Sequence, residues 1–185
     1  MALAIEHHAN KVELPAVTSA YDVSRWYVVY TSANHENRVA EQMAQRSVEH
    51  FLPQYVSVRR WKDRRVRLDL PLFPGYVFVR LALRDRLRVL KIPSVVCLVN
   101  FGGQPAALPD DIVMRLREGL GGNLRAEPHP YVNVGRRVRV LHGPLAGTEG
   151  ILLRKKGHLR VVLSIELIAR SIAVEVDLID IAPIP

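Results

Sequence analysis

The chain's patterning predicts an α+β protein, with a ferredoxin-like domain followed by a small β-barrel. Three observations carry this. Between residues 25 and 120, strand-type runs alternate with two stretches of helical period. An aperiodic segment with Gly and Pro, "GGNLRAEPHPYVNVG", follows at 121–135. Beyond it only short strand patterns remain. We expect a flexible tail at 1–24, a first domain at 25–120, a linker at 121–133 and a second domain at 134–185.

The elements follow in order. "WYVVYT" is aromatic and β-branched throughout, so it reads as a strand. Trp26, Val28 and Tyr30 share one of its faces, because strand side chains alternate. Asn34 is placed to cap a helix with Glu36 in its first turn. Val39, Ala40, Met43 and Ala44 recur at helical spacing, which predicts a helix over 35–48. "QYVSVRR" and "VRLDL" form a long basic hairpin around "WKDRR". "GYVFVRLAL" is a further strand. Leu83, Leu87 and Leu90 predict a short helix stopped by Pro93. "SVVCLVNF" is a strand ended by the Gly102-Gly103 turn. "LPDDIVMRLREGLGG" is a helix with Pro109 near its start and acids in its first turn. This order implies an antiparallel sheet with helices on one face. In the second domain about five short strands fit a barrel, with Leu159, Val161, Leu163 and Ile165 on one face.

The totals exclude several classes. The 185 residues are 49% hydrophobic and contain one cysteine, so no disulfide framework exists. Cys97 sits among apolar residues, and we expect a buried thiol. No apolar run approaches the ~20 residues of a membrane helix. The start lacks the basic and apolar regions of a signal peptide. We expect a cytoplasmic monomer with no membrane partner. Seven histidines are scattered without metal spacing. "GPLAGTEG" lacks the Gly-Lys-Ser/Thr of a phosphate loop. No nucleophile elbow occurs. No metal, cofactor or catalytic site is therefore expected.

The net charge is +8, and it concentrates in residues 26–120, with 15 Lys and Arg against 9 Asp and Glu. In the hairpin, Arg59, Arg60, Lys62, Arg64, Arg65 and Arg67 suit phosphate contact, and Trp61 between them suits stacking on a base. A solvated hairpin tip explains the same residues. "PLFPGYVFVR" (71–80) raises a second choice. Tyr76 and Phe78 share a face, directly after the Pro74-Gly75 break. They either fill a core or present an apolar surface to a partner. Periodicity alone favours the core.

Four stretches carry a resemblance: "RWYVVYTSANHENRVAEQM", "PLFPGYVFVRL", "LVNFGGQPAALPDDIV" and "VGRRVRVLHGPLAGTEG". In this order they resemble the NusG family of transcription elongation factors, from Arg25 to the C-terminus. The first three fit its N-terminal (NGN) domain. The last, Val138 to Gly150 with Gly143, Pro144, Gly147 and Gly150, fits its KOW motif, which implies an SH3-like barrel.

The resemblance implies no enzymatic activity and RNA polymerase as partner. The β′ clamp helices would dock on the apolar face made by Trp26, Tyr30, Phe73, Pro74, Tyr76 and Phe78. The β gate loop would meet Arg84, Arg86 and Arg88. Upstream or non-template DNA would lie near Arg38, Arg46 and the basic hairpin. Bridging the cleft would disfavour paused states. The KOW domain of the family recruits Rho or a ribosomal protein. Here Glu166, Leu167, Ile168 and Ala169 stand where the family has a Phe-Gly turn. That departure resembles the specialised RfaH and UpxY antiterminators, which act at chosen operons. A C-terminal domain that switches fold belongs to such paralogues, but the β-branched runs favour a stable barrel. Two rival readings are a housekeeping factor coupling polymerase to Rho or the ribosome, and an RNA- or ribosome-binding KOW protein without a polymerase contact.

Overall fold

The computed structural model describes residues 21–60, 64–122, 126–129, 135–155 and 158–184. The first domain comprises β1 (Arg25–Thr31), α1 (Glu36–Gln45), β2 (Glu49–Phe51), β3 (Gln54–Arg60), β4 (Arg65–Pro71), β5 (Tyr76–Leu81), α2 (Arg86–Leu90), β6 (Val95–Leu98), β7 (Asn100–Phe101), β8 (Gln104–Pro105) and α3 (Asp110–Gly121). The second contains β9 (Ala126–His129), β10 (Arg136–Val140), β11 (Glu149–Lys155), β12 (His158–Ile165), β13 (Arg170–Val176) and β14 (Ile181–Pro183).

The main sheet of the first domain is antiparallel, in the order β2–β5–β1–β6. Together with α1 and α2 this is the ferredoxin-like arrangement. Its outer strand β2 was not expected, because it is only three residues long and lies in the short gap between the helix expected over 35–48 and the hairpin. The α1 helix stops at Gln45, and the chain reverses through Ser47 at φ 53. Residues 49–51 then pair with β5. The basic hairpin is not part of this sheet. Its strands β3 and β4 pair only with each other.

Both faces of the sheet are largely buried, except at the Tyr30 and Cys97 end. Tyr27 and Val29 of β1, with Val77, Val79 and Leu81 of β5, pack against Val39 and Met43 of α1 and Val89 of α2. The opposite face is also covered. Leu108 bridges to Trp26, and Val113 and Leu116 of α3 join Trp26, Val28 and Phe78 in one cluster. The expectation of helices on one face is therefore corrected: α1 and α2 lie on one side, α3 on the other.

Three local expectations also change. His35, not Asn34, precedes α1, and Asn34 adopts a left-handed φ of 61. Leu87 is exposed, while Leu83, Val89 and Ile92 are buried. A 3-10 turn at Leu83–Asp85 precedes α2, and its tighter winding breaks the 3.6-residue phase. Cys97 is exposed rather than buried. It lies on edge strand β6 opposite Tyr30, where the sheet face is left open.

The second domain is a six-stranded antiparallel sheet in the order β14–β10–β11–β12–β13–β9. Strand β9 lies inside the segment expected to be a linker, and it pairs with β13. Its ladder is irregular in composition, with Pro128 opposite Ile172, which hid the strand from propensity. Val138, Val140, Val161, Leu163, Ile172 and Val174 are buried on one face of the sheet. Gly150 lets β11 pass close to β12. A Cβ there would sit 2.5 Å from both Val161 Cγ1 and the Val162 carbonyl oxygen.

Two outcomes test this fold. Gly150→Ala destabilises the protein by about 1–3 kcal/mol through overpacking, read from its denaturation midpoint. The thiol of Cys97 reacts with a disulfide reagent in the native protein without denaturant; protection until unfolding would contradict the exposed position.

Candidate functional site

The aromatic face is organised by the β1–β5 register. Tyr30 pairs with Tyr76 and Val28 with Phe78. The two tyrosine rings lie 5.4 Å apart. Phe73 meets Phe78 edge-on at 5.7 Å, and Phe51 stacks on Phe78 at 6.1 Å. Both geometries suit aromatic quadrupoles. The Arg117 guanidinium lies 5.4 Å from the Trp26 ring and 5.1 Å from that of Phe51.

The Pro74-Gly75 break holds this face in place. Gly75 adopts φ +87, and its N–H donates to the buried carboxylate of Glu36 at 2.6 Å. The Thr31 N–H donates to the Gly75 carbonyl at 2.9 Å. The turn is thereby tied to both β1 and the start of α1. A Cβ at Gly75 would lie 3.2 Å from Cε2 of Tyr30, so glycine also lets the ring close over the turn.

The structure brings the expected face residues together but does not leave them free. Trp26, Phe73 and Phe78 are buried, Tyr76 is half-buried, and only Tyr30 and Pro74 are exposed. The second domain lies against them. The Arg170 guanidinium sits 5.6 Å from the Tyr76 ring. Arg115 of α3 donates to the Thr148 hydroxyl at 3.2 Å. One apolar cluster runs from Trp26 and Phe78 through Leu116 into Leu163, Ile165 and Ile172. A cavity of about 260 Å³ remains at this seam, lined by residues that include Phe73, Leu116, Leu145, Leu163 and Ile165. Of the two options weighed for "PLFPGYVFVR", the buried Phe73 and Phe78 fit the core. The residues form a face, and here that face is core.

Sequence reasoning missed Phe51, Arg115, Arg117 and Arg170. No local pattern marks them, since their roles arise from contacts with distant elements.

The basic residues assigned to two partners converge. Arg88 donates to the Arg46 carbonyl at 2.7 Å, and Arg46 to the Arg88 carbonyl at 3.5 Å. Each cation thereby sits at the C-terminal end of the other's helix, where the dipole favours it. Arg86 donates to the Leu83 carbonyl, and Arg84 pairs with Asp22 at 3.0 Å. Arg38 is exposed on α1. In the hairpin, Arg60, Arg64, Arg65 and Arg67 are exposed. Trp61, Lys62 and the side chain of Arg59 lie outside the described residues.

The KOW-type turn joins β10 to β11. Gly143 and Gly147 take positive φ, and Pro144 and Gly147 face α3 near Gly122 and Arg115. Glu149 ion-pairs with Arg139 and Arg137, and chiefly the Arg139 hydrogen bond holds its carboxyl below the usual value. Where the sequence was expected to depart from the family pattern, Glu166–Ile168 form a 3-10 turn and Ala169 takes the left-handed conformation, φ 47 and ψ 46. Among the described residues no His, Cys, Asp and Glu cluster suits a metal. No described helix is long and apolar enough to cross a membrane.

A family model described as "Transcription termination factor nusG" matches residues 24–117. This chain belongs to the NusG family. Curated NusG proteins, named transcription termination/antitermination protein, match across most of the chain. That of Haemophilus influenzae is 30% identical, covering 83% of this chain and 90% of its own. That of Escherichia coli K12 is 28% identical, with coverages of 83% and 92%. The Lactococcus lactis protein is 26% identical, with 83% and 89%. A solved structure titled "Domain interaction in Thermotoga maritima NusG" shares the fold, at TM-score 0.58 and 23% identity over 89% of this chain and 99% of that one. Membership places the chain among transcription termination and antitermination factors, which are not enzymes.

Gly75→Ala combines a left-handed φ with a 3.2 Å approach to Tyr30. It lowers stability by about 1–2 kcal/mol, and the Tyr30 ring resonances shift in the NMR spectrum. An unchanged midpoint would show that the turn tolerates a side chain.

Proposed function

We propose that this NusG-family chain is a cytoplasmic factor that binds RNA polymerase through the β1–β5 aromatic face and suppresses pausing or termination at selected operons. The observation that supports it is the face itself. Trp26, Tyr30, Phe73, Tyr76 and Phe78 form a contiguous aromatic patch whose register and turn are tied to the first domain's own framework. A patch of this composition suits an apolar helical tip. The selective role rests on the 3-10 turn at Glu166–Ile168, at the place where the resemblance implies a Phe-Gly turn.

Because the second domain covers the patch, docking requires the seam between the domains to part. The polymerase then competes with the second domain for one surface. Its apparent affinity falls by the fraction of molecules that are open. The basic surface around Arg38, Arg46 and Arg88, and the Arg-rich hairpin, then face the polymerase cleft and its DNA. Housekeeping coupling to Rho or a ribosomal protein is the second reading, which genome-wide occupancy at all transcribed genes would favour.

The site's exposed edge provides the test. Tyr30→Ala with Tyr76→Ala weakens polymerase binding at least tenfold in a pull-down or anisotropy titration, with the circular dichroism spectrum unchanged. These positions are better than Phe78, whose truncation would itself cost about 3–5 kcal/mol. Ile165→Asp sets a charge at the seam and strengthens polymerase binding by opening it. Unchanged binding by the tyrosine variant would overturn the docking assignment.

A further inference from the structure

The seam between the domains holds a cavity of about 260 Å³ that polymerase docking does not use. Its inner wall is apolar and comes from both domains. Phe73 and Leu116 belong to the first domain, and Leu145, Leu163, Ile165 and Ile172 to the second. All six are buried. The rim is polar. Asp111, Arg115, Thr148 and Glu149 line it, and all four reach solvent.

Wall and rim together specify a ligand. A buried water needs two to four polar partners, and the inner wall offers side chains without polar atoms. An apolar group therefore gains there. A cavity of roughly 150 Å³ lined by Leu, Ile and Phe takes up benzene, so the larger volume here suits two fused rings. Phe73 supplies an aromatic partner for them. At the rim, Arg115 pairs with Asp111 at 3.6 Å and donates to the Thr148 hydroxyl at 3.2 Å. Glu149 holds Arg137 at 2.8 Å and Arg139 at 2.7 Å. Each charged group of the rim already has an opposite partner, and an ionic ligand would have to displace one. The carboxylate and hydroxyl oxygens still have lone pairs to accept a further hydrogen bond.

We infer that the seam cavity is a binding site for a small, uncharged aromatic molecule of two fused rings bearing one N–H or O–H. The rings fill the apolar wall, and the polar hydrogen donates to an oxygen of the rim. Few, placed polar groups on an apolar lining are the usual composition of such sites. Because the wall is shared, only the closed arrangement of the domains completes the site. The ligand therefore favours closure, by its better affinity for that state. A filled seam holds the second domain over the aromatic face and lowers polymerase binding. That consequence rests on the proposed docking; the site itself does not.

The test uses the full-length chain with indole as the probe, first without polymerase. An NMR titration saturates, with a Kd on the order of 1 mM or below. Indole protons show cross-relaxation with methyl groups of Leu116 and of Leu163, one in each domain. At ten times the Kd, indole raises the thermal midpoint by about 3–6 °C. 1-Methylindole, which keeps the rings and lacks the N–H, binds several-fold more weakly, and the anion indole-3-carboxylate does not compete. Ile112 is a half-buried residue of the lining. Ile112→Trp fills the space and weakens indole binding at least tenfold, with an unchanged circular dichroism spectrum. Shifts that do not saturate, contacts confined to one domain, equal binding by 1-methylindole, or full binding by the tryptophan variant would each overturn the inference. The first three are read on the wild type and hold whether or not the variant folds. With polymerase present, indole at ten times its Kd raises the apparent polymerase Kd by up to about elevenfold. Saturable indole binding with an unchanged polymerase Kd would overturn the coupling to docking and leave the site standing.

Discussion

The structure depends on the antiparallel pairing of β1 with β5, which sends alternate side chains to two sides that must both be covered. Tyr27, Val29, Val77 and Val79 go to one side, and Trp26, Val28 and Phe78 to the other. Neither set tolerates water at low cost, because each large apolar side chain contributes about 1.5–3 kcal/mol when buried. Helices α1 and α2 satisfy the first side. The second side is wider than α3 can cover, and the remainder is filled by the second domain. The arrangement of the whole chain follows from that shortfall.

This constraint links stability to function. The patch proposed to bind a polymerase is apolar, and an apolar patch on a free molecule invites another cover. Here the cover is part of the same chain. Among the described residues the seam's polar contacts include Arg115 to Thr148 and Arg170 over Tyr76, and a cavity remains there. The apolar cluster is continuous across this seam, so parting it exposes side chains that are buried in the closed form. The Gly75 turn keeps the face intact either way, because Glu36 and Thr31 bind it from within the first domain.

The charged surfaces obey a different rule. Arg46 and Arg88 sit together because two helix ends meet, and each cation satisfies the other helix's last carbonyls. Sequence separation disguised that, and the two residues were assigned to different partners. The hairpin is the converse case. Its basic character was plain in the sequence, but only the ribbon register showed that the arginines share a face with exposed valines.

The sequence by itself determined the local elements whose causes are local. The aromatic and β-branched run set β1, the acids after Pro109 set the start of α3, and the glycine-bounded strands set the second domain. The motifs also determined the family. Short elements without a strong period escaped it: β2 is three residues in the gap between a helix and the hairpin, and β9 was hidden by Pro128. Tertiary structure decided what was buried. Whether Phe78 is core or surface, and whether Cys97 or Leu87 faces water, depends on which distant segment lies above each face. Alternation specifies that a strand has two faces. It does not specify what covers them, because burial is a property of non-local contacts and the hydrophobic effect has no direction along the chain.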